Sequence, residues 1–183
     1  MIIFLEATNS NNNKNCKITG AMPKYTHPLI YDFVNYCRDI IDIGDSKIIV
    51  NFKQVKENEI GFVNFANVLN GKNLIIINKN ASHPFLLKYI SHELTHVKQI
   101  AKKELDIKNG FFVWKNEQNI SIKEYNDIIK RYDFETYKNL EWEKEAYANQ
   151  NNILNSYLNS DSFKNLNDQN TDPTLKFILQ NAF

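Results

Sequence analysis

Half of the chain's four histidines fall within five residues, in the run His92-Glu93-Leu94-Thr95-His96. On a helix, positions i and i+4 stack one above the other, so both imidazoles can reach a single ion. His-Glu-x-x-His on a helix is the arrangement with which zinc hydrolases hold their metal. Zinc lowers the pKa of bound water to about 7, and a carboxylate beside it can take the proton. Glu93 is turned about 100° from His92 on a helix of 3.6 residues per turn, so it is expected beside the ion as general base. With four His and 11 Glu, the pattern would arise by chance in roughly one of 200 such chains.

Two imidazoles on zinc call for a third protein ligand, with one position left for water. Downstream, Glu141-Trp142-Glu143-Lys144-Glu145 offers three carboxylates. On a helix, Glu143 shares a stripe with Leu140, Ala146, Tyr147, Gln150, Leu154 and Tyr157, whereas Glu141 and Glu145 fall on the opposite side with Lys138 and Asn152. The expected metal ligands are therefore His92, His96 and Glu143, holding Zn2+. Glu141 and Glu145 are expected on a solvated charged face. Ala146 is small enough to let this helix approach the histidine helix. His27 and His83 each precede a proline and read as local structure at helix starts. Tyr89, Tyr137 and Tyr147 are the candidates to hold the oxyanion of a tetrahedral intermediate.

Those residues need elements to position them. The histidine helix is expected to open at Ser82 as N-cap, with Pro84 in its first turn, and to run to about Lys102. Leu86, Ile90, Leu94, Val97 and Ala101 form its apolar stripe, and Lys88, Ser91, Thr95, Lys98 and Lys102 a polar one expected to face solvent. The histidines fall on a third face with Phe85 and Tyr89, so the helix should be sandwiched between a sheet and a second layer. The carboxylate helix is expected over Phe134–Leu158.

Around them, Ile2–Glu6 reads as a first strand and Asn9–Asn15 as an exposed loop. Pro28–Ile41 has helical spacing and is stopped by Gly44. Lys47–Phe52 and Leu74–Asn78 read as strands. Gly61–Asn78 reads as a hairpin turning at Asn70-Gly71. Phe111–Trp114 and Glu117–Ile120 form a second hairpin around Lys115-Asn116, followed by a helix near Ile122–Arg131. Asn159–Asp172 reads as a polar loop and Pro173–Leu179 as a final helix. Strands first and helices later predict an α+β fold. Without an internal repeat or a Pro/Gly/Ser-rich linker, residues 1–183 are expected to form one domain with its core at about 61–158.

Composition narrows the partners. A net charge of +1, from 22 basic and 21 acidic residues, gives no electrostatic reason for a nucleic-acid or anionic-membrane partner. The longest apolar runs fall far short of the roughly 20 residues that span a bilayer. Cys16 and Cys37 form neither a CxxC pair nor a disulfide framework and are expected as free thiols in a reducing compartment. The basic residues are lysines apart from Arg38 and Arg131, and Asn is abundant, a usage common in AT-rich genomes, phages included. With neither a leader nor a spanning segment in evidence, a cytoplasmic or virion-associated protein is expected.

HELTHVKQ, followed 47 residues beyond His96 by Glu143 in WEKEAYA, resembles the gluzincin metallopeptidases. The resemblance covers roughly Gly61 to Leu158, and the Trp114 hairpin is similar to that of small phage and bacterial members. It implies a zincin-like fold, a small mixed sheet with an active-site helix and a second helix carrying the third ligand. It also implies zinc-dependent hydrolysis of a peptide or protein substrate, with Glu143 completing the site. Many members carry an Asp four residues after the ligand Glu, to orient a zinc histidine; this chain has Tyr147 there. A substrate strand would pair with the edge of the Gly61–Asn78 hairpin. The motif equally fits a zinc amidase acting on cell-wall peptide. A non-catalytic virion-associated or interaction protein on the same scaffold is a further alternative, although a structural site would not need Glu93. Oligomeric state is not legible.

Overall fold

The computed structural model of the protein describes residues 15–21, 26–43, 46–55, 61–63, 73–80 and 83–181. The expected first strand Ile2–Glu6 lies outside them, as do Gly44, the Asn70-Gly71 turn and Ser82. The fold is mixed α+β. Strands β1 (Cys16–Gly20), β2 (Ile48–Lys53), β3 (Gly61–Val63) and β4 (Asn73–Asn78) form one sheet in the order β1-β2-β4-β3. The first three in that order run parallel, and β3 runs antiparallel to β4 with Gly61 opposite Ile77. Parallel neighbours need a crossover, and helix α1 (His27–Ile41) supplies it between β1 and β2. Ile75, Ile76 and Ile77 are all buried, as expected of a strand covered on both faces. Gly20 ends β1 at φ 90, where a Cβ would collide with the Phe52 carbonyl.

A second, antiparallel sheet joins β5 (Leu105–Lys108), β6 (Phe111–Trp114) and β7 (Glu117–Ser121). Lys115 and Asn116 both have positive φ, 47 and 71, which suits the tight turn between β6 and β7. Five further helices accompany α1 and the histidine helix α2 (His83–Ala101). They are α3 (Ile122–Arg131), α4 (Phe134–Lys138), α5 (Glu141–Leu158), α6 (Asp161–Gln169) and α7 (Pro173–Asn181). Ser121 and Glu124 close a capping box at the start of α3.

Four expectations change. Cys16–Gly20 is a strand, paired residue for residue with Ile48–Phe52. Leu105–Lys108 adds a strand to the second sheet. The polar stretch after Asn159 is helical over Asp161–Gln169, because Ser160 caps it and Phe163 and Leu166 pack on the core. The expected helix Phe134–Leu158 is two helices, interrupted where Leu140 turns extended (φ −63, ψ 134) and buries its side chain.

Two hydrophobic clusters result. The larger is mainly aliphatic and joins the first sheet to α1, α2, α5 and α7. The smaller surrounds Leu105, Phe112, Leu140 and Trp142, with Trp114, Tyr125 and Tyr137 packed on it. Cys16 and Cys37 are free and buried, and burial pushes the Cys16 thiol up to about 11 and Cys37 well above its usual value. Among the described residues, no helix is long and apolar enough to cross a membrane.

Candidate metal centre

Helix α2 lies between β3 and β4 on one side and α5 on the other. Leu86, Leu87, Ile90, Leu94 and Val97, fully buried, hold it against the sheet. The stripe expected to face solvent is buried in its middle. Ser91 and Thr95 are inaccessible, the Ser91 hydroxyl donating to Lys88 O and Gln150 O, and Thr95 Oγ1 donating to Ser91 O. Those local bonds let a polar stripe enter a helix–helix interface without orphaned hydroxyls. Ala146 is fully buried on α5, consistent with close approach.

His92 and His96 meet edge-on, ring centroids 4.8 Å apart and 85° between planes, and both are buried. Glu143 arrives from α5 with no exposed surface. Its Oε2 lies 3.2 Å from His92 Nε2, its Oε1 3.3 Å from His96 Nε2, and the two Nε2 atoms are 3.2 Å apart. Tetrahedral bonds of 2.0–2.1 Å put neighbouring ligand atoms about 3.3–3.4 Å from one another. Both Glu143 oxygens are buried, and among the described residues they face the two imidazole nitrogens without a hydrogen bond of good geometry. A buried carboxylate costs several kcal/mol unless a positive charge, a protonated imidazole or a metal ion, pairs with it. The buried group His92, His96 and Glu143 could therefore hold a metal ion.

The electrostatics agree. Burial pushes the His96 imidazole down, but the Glu143 carboxylate outweighs it and, with Glu93 and Gln99, lifts the group to about 9. Burial likewise opposes ionisation of Glu143, yet the two imidazoles hold its carboxyl far below the usual carboxylate range. The pocket favours one positive charge beside one carboxylate. Glu143 also occupies the first turn of α5, where the helix dipole favours an anion.

Glu93 is buried and does not belong to the ligand group, although its charge is felt at His96, Tyr125, Tyr137 and Tyr147. The Tyr147 ring packs on His92, centroids 4.7 Å apart, and Phe134 packs edge-on against Tyr147. Tyr147 gives His92 no hydrogen bond at Nδ1, which is buried without a partner among the described residues. Burial and then Glu143 push the Tyr137 and Tyr147 phenols up, and burial alone raises Tyr89, so all three stay protonated at neutral pH. Tyr137 belongs to the aromatic cluster of the second sheet, while Tyr147 touches a candidate ligand directly. His27 opens α1 with its ring edge-on to Tyr31, and His83 is the first residue of α2.

The chain matches no family model, no curated protein and no solved structure.

Two glutamates flanking Glu143 behave differently from one another. Glu141 makes an exposed pair with Lys144, on the expected solvated face. Glu145 does not: it is three-quarters buried, accepting from Gln99 Nε2 at 2.8 Å and from Lys98 Nζ at 3.1 Å. Gln99 in turn faces His96 Nδ1 at 2.8 Å through its Oε1. Gln99, Tyr125 and Trp142 stand around the centre without having been singled out in the sequence. Gln99 is three residues beyond His96, the spacing that shares a helix face, and that spacing alone could have flagged it.

Proposed function

We propose that the chain is a zinc-dependent peptidase on a zincin-like fold, with His92, His96 and Glu143 as ligands and Glu93 as general base. The observation that carries this is the convergence of two imidazole nitrogens and the two Glu143 oxygens, with contacts of 3.2–3.3 Å, and a buried Glu93 next to His92 in the chain. Zinc held there would supply a Lewis acid that polarises an amide carbonyl and brings the pKa of water to about 7. The borderline N/O donor set, without a thiolate, suits zinc.

The chain's own residues supply the rest. Glu93 accepts the proton that water gives up as its oxygen adds to the carbonyl carbon. It then delivers that proton to the amide nitrogen as the C–N bond breaks. Tyr147, protonated and with its ring against His92, would be the phenol that donates to the carbonyl oxygen. The edge strand β3, beside α2, offers a ladder on which an extended peptide would dock.

Glu93→Gln tests the role. Glutamine keeps the volume and the hydrogen-bonding reach but cannot take the proton. Hydrolysis of unfolded protein substrates should fall by about 10²–10⁴-fold at unchanged zinc content. Equal cleavage by parent and variant at equal zinc would remove Glu93 from the mechanism. No cleavage by the zinc-loaded parent of either unfolded proteins or cell-wall peptides would favour a non-catalytic scaffold.

A further inference from the structure

Resting on the reading of His92, His96 and Glu143 as a metal site, we infer that Gln99 is a positioning residue. It fixes His96 in the tautomer with its proton on Nδ1, and the Lys98–Glu145 pair locks the Gln99 amide in the one orientation that can do so.

The inference follows from donor and acceptor inventory. The Gln99 Nε2 group sits 2.9 Å from the Trp142 carbonyl and 2.8 Å from a Glu145 carboxylate oxygen. Both neighbours are acceptors only, so the NH2 end of the amide must face them. Turning the amide over would set its oxygen against two acceptors and leave two hydrogen bonds unmade in a buried place. The Gln99 Oε1, itself an acceptor only, is thereby left facing His96 Nδ1 at 2.8 Å. His96 must donate from Nδ1, which leaves Nε2, the nitrogen facing Glu143 and His92, as the one whose lone pair a metal ion would take.

Glu145 is the anchor of this orientation because it cannot reverse its own role. Lys98 Nζ donates to Glu145 at 3.1 Å and to Glu104 at 2.7 Å, so the Glu145 carboxylate is engaged here as an acceptor. The order is Glu104, Lys98, Glu145, Gln99, His96, running from the start of β5 through both helices to the metal centre. Among the described residues His92 has no counterpart to this, its Nδ1 being buried without a partner there. The protein thus sets one imidazole by a chain of hydrogen bonds and the other by packing against Tyr147.

The test uses zinc-loaded protein with two readouts. Proton–nitrogen NMR of the imidazoles reports which His96 nitrogen keeps its proton, and chelator competition reports zinc affinity. The parent should show the His96 proton on Nδ1. Gln99→Leu removes the acceptor and should weaken zinc binding about 10–100-fold, the usual cost of losing a partner behind a metal histidine. Glu145→Gln permits the Gln99 amide to turn over and should weaken zinc binding by a smaller factor. Glu141→Gln should change nothing. A proton on His96 Nε2 in the parent would overturn the inference even if no variant folds. So would parental zinc affinity in Gln99→Leu. If His92→Ala also left zinc bound, the metal site itself would be refuted, a result separable from failure at Gln99.

Discussion

The aliphatic cluster under the first sheet and the aromatic cluster beside the second meet at the candidate metal centre, and each delivers a different part of it. The histidines ride on α2, whose Leu86, Leu87, Ile90, Leu94 and Val97 belong to the aliphatic cluster. Their mutual geometry is local, because i and i+4 on an unbroken helix leave little choice. Glu143 depends on long-range packing. It follows directly on Trp142, which stacks on Phe112 at 5.2 Å in the aromatic cluster, in the first turn of a helix restarted at Leu140. Damage to the first cluster should therefore cost fold, and damage to the second should cost metal.

Ile90→Ala breaks the comparison most forcefully. A cavity in the fully buried aliphatic cluster should destabilise the protein by about 2–5 kcal/mol in denaturant titrations. The zinc affinity of the remaining folded protein should stay near parental, since the histidines do not move relative to each other. Trp142→Leu should cost less stability, roughly 2–3 kcal/mol, because part of the volume is kept. Its zinc affinity should nonetheless fall at least about tenfold, since second-layer support of a ligand is typically worth 10–100-fold. Parental affinity in Trp142→Leu would erase the distinction between the two regions.

A smaller effect comes from pH, read on metal-free protein. His96 is raised to about 9 in the fold, so its contribution is fully present below the unfolded value near 6.5 and is lost as pH rises through 9. Glu143 is depressed, so its contribution is present above about 4.5, the ordinary carboxyl value, and is lost as pH falls toward its folded value. Metal-free stability, read by thermal unfolding with chelator present, should thus be greatest at about pH 5–6 and fall by about pH 9.5. Zinc affinity should run the other way, rising with pH, because the ligands must shed protons. A metal-free stability that did not fall between those two pH values would contradict the pairing.

The least effect is expected from Glu141→Gln, which loses only the exposed pair with Lys144. Less than about 1 kcal/mol of stability and no zinc should be lost. Glu145 lies one turn on along the same side of α5, so the contrast with Glu145→Gln isolates the contacts of Glu145 with Gln99 and Lys98.

What was legible in the sequence follows the same division. His92, Glu93 and His96 were legible because their relation is helical and local. Glu143 was found through its stripe even though the helix start was misplaced. The break at Asn139-Leu140 carries no glycine or proline and arises from burying Leu140 in the aromatic cluster. Once past it, the phase from Glu141 to Tyr157 is continuous, so the error did not propagate. Glu145 was misplaced because helical phase separates faces but does not reveal that a neighbouring helix presents Gln99 and Lys98 to one of them. Cys16–Gly20 has little strand signature of its own and owes its strand character to pairing with β2. Asp161–Gln169 is polar enough to read as loop, and capping with two packed apolar residues makes it helical.

Zinc stoichiometry tests the account most directly. Native mass spectrometry of the parent, of His92→Ala/His96→Ala and of Glu143→Gln, each checked for fold by circular dichroism, gives the count without requiring a substrate. One zinc per chain is expected in the parent, none in the double variant, and sharply reduced occupancy in Glu143→Gln. Stoichiometric zinc surviving the loss of both histidines, or a folded parent that takes up none, would contradict the site.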